Sequence, residues 1–231
     1  MNRTLNVVRM QLINRQTFVW IPLIVLTASF AMSLAIYGIL RSAGVPGPIY
    51  GGGSQAPLWV LLAVGISSLS LTFPFSQAMS VTRREFFLGT LLAAAGSAFL
   101  LAVVFMLGAL VEQWTNGWGI ESYFFALDWV VTSGPLVAGF FYFVVALGLF
   151  LMGFWTAIVY KRFGPLWLTV LLVGLGALLV GAVWIITSAD AWVQVITALA
   201  EAGPVGLSLW IAAVTALLGV LSYLTLRRAT P

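Results

Sequence analysis

Apolar residues gather into six long runs along the chain, at about residues 18–40, 58–79, 86–111, 135–160, 166–187 and 205–226, with short polar stretches between them. Each run is long enough to cross a bilayer, which takes about 20 mostly apolar residues. The first is too long for the apolar core of a signal peptide, and no convincing small-residue cleavage site closes it, so it reads as a retained span. The pattern predicts an all-α integral membrane fold with residues 1–231 as one transmembrane domain. Six spans and their connections use nearly the whole chain and leave no length for a separate soluble domain.

Two shorter periodicities predict helices outside the spans. Met1, Leu5, Val8 and Leu12 share one helical face, with Arg3, Arg9 and Arg15 able to reach lipid phosphates. This predicts an amphipathic helix over residues 1–16 on the inner membrane surface; the alternative is a basic lead-in that only sets topology. Between the fifth and sixth runs, Trp192, Val195, Ile196 and Leu199 repeat at helical spacing. Ser188 is placed to cap this short outer helix, Asp190 suits its first turn, and Gly203-Pro204 stops it. At about 12–14 residues it is too short to span.

Polar residues between the second and third runs carry a more specific signal. Thr82 and Glu85 have capping-box spacing just ahead of an apolar run, so Thr82 is expected to cap the third span. Arg83 and Arg84 then project inward, either as topology anchors or as a docking surface. Pro74 should kink or loosen the second span. Its hydroxyl neighbours Ser67, Ser68, Ser70, Thr72 and Ser76 are expected to satisfy the freed backbone groups or to line a polar path.

Composition agrees with the span pattern. Apolar residues make up 62% and charged residues 7%, against about 25% charged in a soluble domain. Cysteine and histidine are absent, which excludes disulfides, thiol chemistry and the commonest metal ligands. Charge placement sets orientation. Arg3, Arg9, Arg15, Arg83, Arg84, Lys161, Arg162, Arg227 and Arg228 fall on one side of a six-span layout and Arg41 alone on the other. The positive-inside rule then puts both termini in the cytoplasm. Five of the six acids, Glu112, Glu121, Asp128, Asp190 and Glu201, fall outside. No charge lies near the middle of a run, which argues against a proton pump or ion-coupled carrier. The net charge of +4 is a topology signal, and no nucleic-acid partner is expected.

Trp114, Trp118, Tyr123, Phe124, Phe125 and Trp129 form an interfacial aromatic belt or an aromatic gate. Residues 51–55, after Pro46-Gly47-Pro48, read as a flexible loop. Ser208, Ala212 and Ala216, and likewise Ala177 and Gly181, mark faces for close helix packing. No phosphate-binding loop ending in Lys-Ser or Lys-Thr exists, since the only lysine is Lys161.

The segment Thr82-Arg83-Arg84-Glu85-Phe86-Phe87-Leu88-Gly89-Thr90 resembles the "(S/T)-R-R-x-F-F-x-G-T" stretch of the permease subunits of bacterial ATP-binding-cassette transporters of the type-2 exporter class. Arg9-Met10-Gln11-Leu12 with Arg15, and the order of spans and short helices, are similar to the same family. The resemblance implies a permease that binds no cofactor itself, forms its path with a second permease subunit, the same or homologous, and couples to a separate ATPase carrying ATP and Mg. Ser80, Val81, Thr82, Arg83, Arg84, Glu85, Phe86 and Phe87 would then form the coupling helix, with Arg9 and Arg15 of the inner helix contributing. Asp190, Trp192, Ile196 and Leu199 would belong to an outer gate. The implied location is the bacterial cytoplasmic membrane. A transport path without buried charge suits a hydrophobic, amphipathic or neutral molecule. Two other readings compete: a non-transporting scaffold or assembly factor, and a membrane enzyme using Glu112, Glu121 and Asp128.

Overall fold

The computed structural model describes residues 3–13, 15–78 and 80–227, apart from the side chains of residues 3–5, 12, 13 and 78. Met1, Met79 and Arg228, and the side chains of Arg3, Leu5 and Leu12, therefore lie outside the described residues. The described residues form eight α-helices: α1 Arg3–Ile13, α2 Ile21–Ser42, α3 Ala56–Ala78, α4 Arg83–Trp114, α5 Asp128–Val131, α6 Pro135–Phe163, α7 Pro165–Ser188 and α8 Trp192–Arg227. Six helical segments are long and apolar enough to cross a membrane: Gln16–Ser42, Gly52–Gln77, Arg83–Trp114, Pro135–Phe163, Pro165–Ser188 and Trp192–Arg227. Each overlaps one of the apolar runs, and the chain is a multi-pass, all-α membrane protein.

The bundle is organised around α6, which packs against α3, α4, α7 and α8. Glycine makes the α3–α6 crossing possible. A Cβ on Gly65 would stand 2.2 Å from the Phe150 carbonyl oxygen, and one on Gly153 would stand 2.0 Å from that of Leu62. Each helix thus lays its backbone against the other where only hydrogen fits, a common device where lipid supplies no hydrophobic drive for association. On the sixth span the expected small-residue face is divided, with Ser208 buried, Ala212 half-buried and Ala216 exposed, and on the fifth it makes no close approach. Ala177 on α7 is exposed, and α7 has no buried residue at all.

Pro74 does not interrupt α3. A proline removes the hydrogen bond to the carbonyl four residues earlier, here that of Ser70. The hydroxyls do not take up this acceptor; Lys161 Nζ donates to Ser70 O at 3.3 Å. The chain's only lysine thus ties the end of α6 to the gap in α3. The hydroxyl of Ser76 bonds Phe73 O at 2.7 Å, and that of Thr72 bonds Ser68 O, inside the helix.

For orientation, the end of the bundle bearing the α3–α4 connection is the turn end, and the end bearing residues 43–55 and 115–134 is the loop end. At the loop end the chain packs tightly. Gly51 and Gly53 are not a free loop: a Cβ on either would meet Tyr37 Oη at 2.3 Å or Ser33 Oγ at 2.2 Å, and Ser54 is buried. Two short strands, β1 Ile49–Tyr50 and β2 Ser122–Tyr123, pair in parallel with Ile49 opposite Ser122. The rings of Tyr50 and Tyr123 stack at 5.3 Å. Arg41, the one base placed outside by the charge pattern, forms an ion pair with Glu121 and donates from Nε to Ile120 O at 2.8 Å.

The aromatic-belt expectation is corrected for two residues. Phe124 and Phe125 are buried among Phe30, Phe105 and Tyr142, whereas Trp114 is 88% exposed. The reason is Glu112, which lies in α4 and is fully buried rather than in a loop. Its carboxylate accepts from the backbone N–H groups of Phe124, Phe125 and Ala126 at 2.7–2.8 Å, and from Trp118 Nε1 at 2.6 Å. One side chain satisfies three donors that would otherwise be stranded as the loop enters the bundle. Tyr142 Oη adds a bond to Phe125 O at 2.9 Å.

Candidate functional site

The connection between α3 and α4 is built from three local choices. Ser80 takes a left-handed conformation, with φ 55°, which reverses the chain. The N–H groups of Ser80 and Val81 return to Gln77 O and Ser76 O, each at 3.1 Å, and close α3. Thr82 then caps α4. Its Oγ1 accepts from Glu85 N at 3.3 Å, while its own N–H and hydroxyl donate to Glu85 Oε2 at 3.0 and 2.7 Å. The reciprocal capping box read from the spacing is therefore present, a feature worth about 1 kcal/mol at a helix start.

The residues expected to couple to a partner separate into two groups. Ser80, Thr82 and Arg84 are exposed, and Val81, Arg83 and Glu85 are half-buried. Phe86 and Phe87 belong to the core: Phe86 packs on Phe73 and Phe154, and Phe87 on Phe154 and Tyr223. Their aromatic rings anchor the turn and offer no surface. Arg83 is also engaged, donating from Nη1 to Arg227 O at 2.9 Å and Leu226 O at 3.4 Å, a favourable place for a cation at the last carbonyls of α8. Arg84 is exposed and lines a groove between α4, α6 and α8.

The helix α1 packs beside this connection, against α4 and α3. Its buried described side chains are Val7 and Gln11, while Val8 is only half-buried. The contacting face is thus rotated from the expected stripe, because α1 packs on protein as well as any membrane surface. Gln11 Nε2 donates to Thr72 Oγ1 and Thr90 Oγ1, both at 2.9 Å, joining α1 to α3 and α4 within one buried node. Arg9 and Arg15 remain exposed. A π-helical turn, Gln16–Trp20, leads from this region into α2.

At the other end, the segment after α7 differs from its expected construction. The hydroxyl of Ser188 turns back to Ile185 O at 3.0 Å and does not cap the following helix, because Asp190 adopts φ 47° and α8 begins only at Trp192. Trp192 Nε1 donates to Thr187 Oγ1 at 3.0 Å. Trp192, Ile196 and Leu199 are all exposed. Gly203, at φ 60° and ψ −173°, divides this short helical part from the long part of α8, in a conformation open mainly to glycine. The acids Glu112, Glu121 and Asp128 do not converge: Glu112 is held by backbone donors, Glu121 by Arg41, and Asp128 starts α5.

Sequence reasoning missed Gly65, Gly153, Gln11, Glu112 and Lys161 as structural determinants. Glu112 carried a weak signal, an acid directly following an apolar run. No protein-family model matches the chain, and no curated protein or solved structure matches it either.

Proposed function

We propose that the chain is the membrane-spanning permease subunit of an ATP-driven exporter in the bacterial cytoplasmic membrane, working as a dimer and coupled to a separate ATPase that carries ATP and Mg. The carrying observation is the capped α3–α4 turn. It presents Ser80 and Thr82 at its tip, where the segment resembling the exporter permeases begins at Thr82, while Phe86 and Phe87 root it in the core. A rigidly rooted, exposed turn is suited to passing a partner's displacement into the bundle. Gln11 joins α1 to both helices flanking the turn, so α1 would move with it. On this reading the turn end faces the cytoplasm, both termini lie there, and the helical segment from Trp192 to Ala202 sits at the outer exit.

The chain contains no cysteine, so a single introduced thiol is a specific probe. Ser80→Cys, with a short bifunctional cross-linker in native membranes, should give one adduct to an ATP-binding-cassette ATPase. A control cysteine at Ser42, at the loop end, should give none. Repeated absence of an ATPase adduct under conditions that preserve a known exporter complex would leave the scaffold reading in its place.

A further inference from the structure

The groove between α4, α6 and α8 has a volume of about 720 Å³. Its walls are apolar along most of their length, with Leu88 and Leu91 from α4, Leu147 from α6 and Val220 from α8. The small residues Ala212, Ala216 and Gly219 line it, so the face that reads as a helix-packing stripe instead leaves room beside α8. Thr215, the hydroxyl within the apolar part, donates to Val144 O at 3.4 Å. Apart from Thr215, whose hydroxyl is taken up by Val144 O, the polar residues lining the groove, Arg84 and Tyr223, stand at its turn end.

Among the described residues Arg84 has no carboxylate partner. Among the described residues the ion pair present is Arg41–Glu121, at the loop end. The turn end holds Arg83, Arg84, Lys161, Arg162 and Arg227 against one acid, Glu85, whose Oε2 already takes the Thr82 N–H and hydroxyl. From Ala212 to Tyr223 the groove follows α8 for about 16 Å by helical rise, close to half of a hydrocarbon core about 30 Å thick. An apolar channel one leaflet deep, with a cation at its headgroup end, matches a single anionic phospholipid in length and is complementary to it in charge.

We propose that this groove binds an anionic phospholipid from the leaflet at the turn end, with its phosphate on Arg84 and Tyr223 and an acyl chain against Ala212, Ala216 and Gly219. A second copy of the chain fits less well. In a parallel pair the acidic side chain it would bring to the Arg84 end is another Glu85, since the other acidic side chains lie at the opposite end. The proposal needs no ATPase, and its test uses the chain alone. Loss of lipid with the Ser80→Cys adduct intact would separate the two readings.

The test is native mass spectrometry of the chain in mild detergent, titrated with phosphatidylglycerol and phosphatidylcholine of the same acyl chains. The wild type should retain one lipid with a roughly tenfold preference for phosphatidylglycerol, because in phosphatidylcholine the choline cation offsets the phosphate charge that faces Arg84. Arg84→Lys should keep most of that preference and Arg84→Gln should lose it. Ala216→Phe, which fills the groove and leaves Arg84 in place, should lose retention of both lipids. An unchanged preference in Arg84→Gln, or unchanged retention in Ala216→Phe, would overturn the assignment. So would a lipid-free dimer that Ala216→Phe dissociates, which would make the second copy the occupant. If Arg84→Gln fails to fold, Arg84→Lys and Ala216→Phe still decide.

Discussion

The α3–α6 pair and α7 are both apolar helices of the same bundle, yet they are held in opposite ways. The pair meets backbone to backbone at Gly65 and Gly153, and α6 carries buried side chains along its length. The helix α7 touches α6, has no buried residue, and exposes Leu178, Val180 and Trp184. Average hydrophobicity does not explain the difference: α7, with no buried residue, is the most apolar of the three, and in lipid an exposed leucine costs nothing. What separates them is whether small residues fall where another helix can come close. One part of the bundle is complete within a single chain, and the other presents its surface to lipid or to another subunit.

The sharpest way to break this comparison is to place the same side chain on both helices. Gly153→Leu puts a branched group against the Leu62 carbonyl and should destabilise the fold by about 3 kcal/mol, the upper part of the usual overpacking range. Gly174→Leu on α7, where an added Cβ meets nothing within 4 Å, should leave the melting temperature in detergent nearly unchanged. Equal effects from the two substitutions would mean that the crossing is not the rigid element.

A smaller effect is expected at the loop end. Glu112→Ala removes the acceptor of three buried N–H groups, each costing about 1–3 kcal/mol if it stayed trapped; because the loop can open to water, the net cost should be about 2 kcal/mol. Residues 116–127 should then open to chymotrypsin at Phe124 and Phe125 before the α3–α6 pair unfolds. Cleavage no faster than in the wild type would show that the aromatic packing suffices without the carboxylate.

The smallest effect sharpens the comparison within the rigid pair itself. Lys161→Met removes the donor to Ser70 O and should cost about 1 kcal/mol, read as a lower melting temperature. Adding Pro74→Ala restores the helical N–H and should abolish that penalty. A penalty independent of Pro74 would assign Lys161 some other role.

Features encoded over a few residues were legible in the sequence. The six long helices follow from the length of the apolar runs, and the Thr82–Glu85 capping box from a spacing of three. Features made by distant residues were not. The partner of Lys161 lies 91 positions away, and Glu112 captures amides 12–14 positions ahead of it. Gly65 and Gly153 read as two ordinary glycines until the helices cross. The same limit explains the misplaced belt: Phe124 and Phe125 have interfacial composition, and only the buried carboxylate draws their backbone inward. The turn was legible as a cap, but the division between its exposed tip and its buried aromatic root depends on helices that arrive later in the chain.

The joint between α6 and α7 consists of Gly164 alone, with φ 84°, followed by Pro165 at the start of α7. In chain-statistical terms this is nearly the shortest loop two helices can share. A long tether would let a helix with so little buried surface explore many positions, and contacts would have to offset that entropy. A one-residue tether removes the search and keeps α7 beside α6 at very high effective concentration. The helix can therefore keep a bare outer surface without being lost from the bundle, and a single backbone conformation at Gly164 does what an interface would otherwise have to do.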